Sequence, residues 1–367
     1  MDGQPDQDKA SHADEKSAPA KLIYPFEGPP ARGSTLEVAP GVRWIRMPLP
    51  YALDHINLWA LDDGEGWAVV DTGTRTDETG EVWRAVMSNS PDQRPLTRVF
   101  VTHMHPDHVG MAGWFTRKFG VRLWMTRLEY YQCRVMMSDT GREAPQEGVD
   151  FYRRAAWSQA AIETYRLRFG NFGKHIHAMP DSYRRISDGE EIKIGKNIWR
   201  VVVGNGHSPE HACLYCPDLK VLISGDQVLP RISSNVSVHP TEPDANPMND
   251  WMNSLAKIRR EVPEDTLVLP AHGEVFRGLH SRLDKLERGQ NIAFDRLRRT
   301  LSQARRVPEM FSALFARPIS PEDVGLLSMA TGETVACLNY LFYRGEITRD
   351  LADDGAYLYQ IKEQAVT

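Results

Sequence analysis

Between Thr102 and His108 the chain reads Thr-His-Met-His-Pro-Asp-His, which places three imidazoles and one carboxylate within seven residues. Neutral imidazole and carboxylate are ligands that zinc accepts, and no cysteine takes part in the run. His103 and His105 lie two apart, so an extended turn can aim both at one ion. Asp107 and His108 then point to a different position, which suggests a second ion. A lone loop histidine is ordinarily just solvated. An H-x-H-x-D-H run directly behind a buried strand reads as a ligand set.

The flanking residues say how that run is held. Arg98-Val99-Phe100-Val101 is a short β-branched and aromatic stretch that reads as a buried strand. Val109-Gly110-Met111-Ala112-Gly113 follows, with small residues that let a helix start close to the strand end. The run therefore sits on a tight loop at the C-terminal end of a strand, where open α/β sheets place their chemistry. The same local pattern recurs downstream. Trp199 to Val203 leads into Gly204-Asn205-Gly206-His207-Ser208-Pro209-Glu210-His211, Val221 to Gly225 leads into Asp226, and Thr266 to Ala271 leads into His272-Gly273. Upstream, Trp67 to Val70 ends in Asp71-Thr72-Gly73.

These five motifs, in this order over about residues 40 to 280, resemble the signature of the metallo-β-lactamase superfamily. The resemblance implies an α/β fold: an αββα sandwich with ligands at successive strand ends. It implies His103, His105 and His207 on one divalent ion, Asp107, His108 and His272 on another, and Asp226 bridging them. Zinc is the expected metal; iron and manganese suit the same ligands. The chemistry implied is hydrolysis, with a metal-bridging hydroxide attacking a carbonyl or phosphoryl centre and Asp107 passing a proton to the leaving group. Asp71 is expected to buttress the metal loop through hydrogen bonds. His211 is expected to pack beneath the loop, as a comparable histidine does in the glyoxalase II branch. The expected substrate is a small, partly apolar thioester, lactone or related ester. The alternative is an endoribonuclease-type phosphodiesterase, which a similar core with a C-terminal winged helix resembles.

Several other polar groups carry weaker signals. His55, just before a strand, reaches the site rim or caps the surface. Ser208 either caps its turn or donates near the metals. Arg231, Asn235 and His239 lie on the loop leaving Asp226 and are candidates for substrate contact. His175 and His177 form a second H-x-H, but no apolar strand precedes it and no Asp-His follows. It is read as a decoy.

Composition sets bounds. A hydrophobic share of 41% and a charged share of 25% describe an ordinary globular chain. The net charge of −5 over 367 residues gives no sign of a polyanion partner. Cys133, Cys213, Cys216 and Cys337 are too sparse for a disulfide framework and suit a reducing compartment, the cytoplasm. Cys213 and Cys216 read as one strand, where residues three apart face opposite ways, so they do not share a metal or a disulfide. No run approaches the roughly 18 apolar residues of a membrane span. Residues 1–22 read as a disordered tail with no apolar signal segment.

Residues 23–280 form the expected sandwich domain. Within it, 127–185 is a helical insertion, rich in Met and aromatic residues, that is not needed to build the metal site. It is expected to arch over the metal mouth as a cap and form an apolar substrate pocket. Residues 281–367 form a C-terminal domain. One or two amphipathic helices run from Leu279 to about Arg306. Two more begin near Pro321 and Gly332, and a hairpin turns at Asp353-Asp354-Gly355, an arrangement that looks like a small winged helix. Between Ser320 and Thr367 eight acidic residues stand against three basic ones. That balance fails the requirement of phosphate contact for Lys and Arg on the docking face, which leaves packing or a homo-oligomer contact as the role of the domain.

Overall fold

The structure, a computed structural model, describes residues 21–50, 53–89 and 93–362. Seven strands form one sheet in chain order: β1 (Leu36–Ala39), β2 (Val42–Pro48), β3 (His55–Asp62), β4 (Trp67–Val70), β5 (Leu96–Phe100), β6 (Arg122–Met125) and β7 (Arg184–Arg185). The first four pair antiparallel, and β4 to β7 pair parallel. A second sheet holds β8 (Glu191–Ile194), β9 (Asn197–Gly204), β10 (His211–Cys216), β11 (Val221–Gly225) and β12 (Leu267–Pro270), with only β11 and β12 parallel. A separate hairpin pairs β13 (Ile347–Leu351) with β14 (Tyr357–Ile361).

The helices are α1 (Asp77–Ser88), α2 (Pro106–Val109), α3 (Ala112–Phe119), α4 (Arg127–Ser138), α5 (Gln146–Arg154), α6 (Gln159–Arg168), α7 (Pro247–Glu261), α8 (Leu279–Thr300), α9 (Phe311–Leu314) and α10 (Val324–Tyr343). Strand alternation explains how they are layered. Trp44, Val70, Val201, Leu214 and Cys216 point into a core shared by the two sheets. Their neighbours Ile45 and Val69 point outward to α1 and α3, while Val202 and Cys213 point outward to α7 and α8. Both faces of both sheets are thus covered, which gives the αββα order of layers. Cys213 and Cys216 do lie on opposite faces, and all four cysteines are buried and free.

Two expectations need correction. The two helices expected near Pro321 and Gly332 are one helix, α10. Gly332 stays inside it because a Cβ there would stand 2.8 Å from Ser237 Cβ and 3.0 Å from the Val238 carbonyl oxygen. The glycine marks a close approach to the loop that follows Asp226, where its own carbonyl accepts from the Val238 N–H at 3.0 Å. The expected tail lies outside the described residues as far as residue 20, but its last member, Leu22, packs against the outer core beside α8. That core also runs without a break from the second sheet into α8, α10 and the β13–β14 hairpin. The C-terminal region thus packs on the sandwich through a shared core.

The topology brings chemistry to one edge. The parallel strands β4 and β5 end there, as do β9, β11 and β12, while β3 and β10 begin there. Backbone bonds stitch the two sheets together at this edge: Ala212 N–H donates to the Thr102 carbonyl at 2.9 Å, and Asn57 N–H to the Ala271 carbonyl at 2.7 Å. Among the described residues no helix is long and apolar enough to cross a membrane.

Candidate metal centre

Three loops at this edge bring His103, His105, His207 and Asp226 together, with one candidate ligand atom from each within 4.8 Å of the others. Asp107, His108 and His272 form a second group by the same measure. Asp226 stands between the two. Its Oδ2 lies 3.3 Å from His207 Nε2 and 3.6 Å from His108 Nε2, and its Oδ1 lies 3.4 Å from His272 Nε2. Asp107 Oδ2 is 3.4 Å from His272 Nε2 and 3.7 Å from His108 Nε2.

The rings are aimed by hydrogen bonds on their far side. His207 Nδ1 donates to the Asn235 carbonyl at 2.7 Å, and His272 Nδ1 to the His55 carbonyl at 2.8 Å. His108 Nδ1 donates to Asp71 Oδ2 at 2.8 Å. Each of these bonds fixes a ring with its Nε2 toward the site, where a cation would take the place of the Nε2 proton. Buried His108 Nε2 and Asp226 Oδ1 have no hydrogen-bond partner among the described residues. Buried polar atoms are seldom left unpaired, and two of them facing one cluster fit a divalent cation.

The electrostatics divide the rings: burial is outweighed by Asp71, Asp107 and Asp226 at His108 and by Asp226 and Asp107 at His272, so both stand above the usual histidine range. Burial, reinforced by the neighbouring imidazoles, holds His103 well below the usual histidine range, and burial pushes His105 down to about 3. Both rings are therefore neutral, the form that binds metal. Burial works against charge on Asp226, but His272 and His108 outweigh it and hold the carboxyl well below the usual range.

Outer groups fix the loops. Asp71 accepts from the Thr102 N–H at 2.8 Å as well as from His108, and it does so from a left-handed backbone at φ 61°. His211 is turned away from the ligand atoms: its Nε2 accepts the Asp226 N–H at 3.1 Å. His55 Nε2 accepts the Gly273 N–H at 3.0 Å, so it supports the His272 loop and is not a ligand. Asn57 reinforces the same loop, donating to the Pro270 and Gly273 carbonyls at 2.9 Å each.

One group escaped sequence reasoning and corrects it. Glu129, in the first turn of α4, is fully buried and accepts from Met104 N–H at 2.9 Å, Ser208 Oγ at 2.6 Å and Glu210 N–H at 2.8 Å. The insertion is thus needed to hold two ligand loops. Burial raises the Glu129 carboxyl despite those three donors. An acidic residue in a first helical turn is read as ordinary dipole compensation, so no local signal marks it out. Asn235 contributes through its backbone, and its side-chain amide donates to Glu333 of α10 at 2.9 Å. Arg231 pairs with Glu274 at 2.9 Å on the surface, and His239 lies in the wall of a neighbouring cavity. His175 and His177 belong to neither ligand group. Two basic residues of α8 are held by the protein, Arg282 donating to the Leu229 and Ile232 carbonyls and Arg298 to Glu346, while Lys285, Arg288, Arg296 and Arg299 are exposed.

A sandwich with His and Asp clusters suited to a divalent metal at one edge is the architecture of a metal-dependent hydrolase, and the chain belongs to the metallo-β-lactamase superfamily, whose model matches residues 52–272. A second model, the metallo-β-lactamase-like C-terminal domain, matches residues 294–362. A β-lactamase domain protein from Burkholderia ambifaria is similar in structure, at 40% identity and a TM-score of 0.84, covering 93% of this chain and 98% of that one. An atrochrysone carboxyl ACP thioesterase from Aspergillus fumigatus is 23% identical over 85% of this chain and 60% of its own length. An acyl-coenzyme A thioesterase from Gallus gallus is 25% identical over 64% of this chain and 79% of its own.

Proposed function

We propose that this protein is a dinuclear-metal hydrolase of carbonyl esters, a thioester first and a lactone second, whose substrate carries an apolar acyl or aromatic part. One observation carries the reading: Asp226 turns one carboxylate oxygen toward His207 and the other toward His272, so a single residue faces both ligand groups. His103, His105 and His207 would hold one cation, Asp107, His108 and His272 the other, and Asp226 would touch both. Zinc is the ion proposed, because the ligands are imidazoles and carboxylates with no thiolate.

Two divalent cations supply a water of lowered pKa and positive charge beside the carbonyl oxygen. The chain's residues do the rest. Burial opposes ionisation of Asp107, yet His108 and His272 hold its carboxyl below the usual range. Asp107 is partly open to solvent. It is therefore placed as a carboxylate to take a proton from the attacking water and return it to the leaving thiol or alcohol as the C–S or C–O bond breaks. The relatives described as thioesterases support a thioester. The excess of acidic over basic residues between Ser320 and Thr367 favours a small substrate over a polyanion. Four buried free thiols fit the cytoplasm.

The test is hydrolysis of an acyl thioester, an acyl lactone and a single-stranded RNA by the zinc-loaded protein, with His103→Ala as the blank. Turnover of a carbonyl substrate that the variant loses is expected. Cleavage of RNA alone would overturn the reading.

A further inference from the structure

A cavity of about 690 Å³ lies between the helical insertion and the C-terminal region. We propose that it seats the apolar tail of the substrate, so that the C-terminal region is part of the substrate site. The inference rests on the ester-hydrolase reading of the metal centre.

Three observations carry it. The first is closeness along the chain to the candidate ligands. Met104, between His103 and His105, lines the cavity. So does His239, which ends the segment that runs from Asp226 through Asn235, the residue whose carbonyl holds His207.

The second is the character of the walls. Val135 of α4, Phe151 of α5, Phe169 after α6, Val335 of α10 and Tyr357 of β14 face the space. Val135 is 53% exposed, an apolar side chain left without protein cover. Most charges around the cavity are paired, Arg349 with Asp244 at 3.1 Å, Arg142 with Asp139 at 2.6 Å, and Asp150 with Arg153 outside the lining at 2.5 Å, while Glu147 lies exposed at the rim. Arg154 lies over the Tyr357 ring at 5.6 Å. Such a wall presents aromatic faces and little uncompensated charge, and so selects a neutral alkyl or aryl group over an ionised one.

The third is size and construction. The volume falls within the range of about 300–1,000 Å³ that accommodates a drug-sized ligand. The two sides are locked together by Trp157 Nε1 donating to Thr331 Oγ1 at 2.9 Å and by Tyr152 Oη with Ser328 Oγ at 2.8 Å. The insertion and α10 therefore form the cavity in one piece, without a contact that must open.

The experiment pairs binding with turnover. Binding of dodecanoate to the zinc-loaded protein is measured by calorimetry, and hydrolysis of acetyl and dodecanoyl thioesters is measured beside it. Val135→Trp fills the space from an exposed position and should weaken dodecanoate binding about tenfold or more. It should raise KM for the dodecanoyl thioester alike and leave the acetyl thioester unchanged. Phe169→Ala, which enlarges the space, should move the preference toward longer chains. Dodecanoate binding that is absent, or equal in the parent and Val135→Trp, would overturn the tail seat even with hydrolysis intact. Dodecanoate binding lost in Val135→Trp, with neither thioester hydrolysed, would uphold the tail seat and count against the ester-hydrolase reading alone.

Discussion

The Glu129 carboxylate joins two ligand loops, with Oε2 accepting the Met104 N–H at 2.9 Å and Oε1 the Ser208 hydroxyl at 2.6 Å. Glu129→Ala would leave three donors in a buried space without an acceptor. Each orphaned group costs about 1–3 kcal/mol, partly relieved by relaxation, so a loss of roughly 2–4 kcal/mol is expected. Urea denaturation of the metal-free variant reads it directly. An alanine variant as stable as its parent would show that the loops stand without the insertion.

Asp71 binds His108 and Thr102 from a left-handed backbone conformation that asparagine also tolerates. Asp71→Asn therefore removes the charge with little backbone penalty. Zinc affinity, measured by competition with a chelator, should fall about 10–100-fold while the circular dichroism spectrum holds. Unchanged affinity would deny Asp71 any part in orienting His108.

Gly225 ends β11 at φ 50°, and a Cβ there would stand 2.5 Å from His211 Nε2. Gly225→Ala meets both a backbone conformation that favours glycine and a ring that cannot move without releasing the Asp226 N–H. A loss of about 2–4 kcal/mol in thermal unfolding is expected. A variant with the parent's melting temperature would contradict this.

Burial pushes the Glu333 carboxyl up to about 7, with the Asn235 amide opposing the shift. Its folded pKa thus lies above its unfolded value of 4.5, so folding favours the protonated form. That stabilisation is complete below the unfolded value and disappears as pH rises through about 7. Against Glu333→Gln, the parent should lose roughly 1–3 kcal/mol across this window. Parallel stability profiles at pH 5 and pH 8 would rule out the shift.

Much of the site was legible because its chemistry is local. His103, His105, Asp107 and His108 fall within one loop, and each later candidate follows an apolar strand, so the family resemblance could pick them out in order. The sheet faces were legible too, since Trp44 beside Ile45 and Val69 beside Val70 alternate as the pleat demands. Helix continuity at Gly332 was not legible, because it depends on how closely Ser237 approaches.

Residue types and their order along the chain pointed to the candidate ligands, the strands and the helices that cover them, because loop clusters and pleat periodicity are short-range. Tertiary structure alone decided which groups hold the ligands in place. Glu129 contacts loops 25 and 79 residues away in sequence, and Glu333 reaches the metal edge through Asn235, 98 residues distant. A carboxylate whose partners are backbone N–H groups leaves no pattern of its own, since every residue but proline offers the same donor. The cavity between the insertion and α10 is likewise a product of packing. Its walls come from segments that share no periodicity and meet only when the outer core closes over the second sheet.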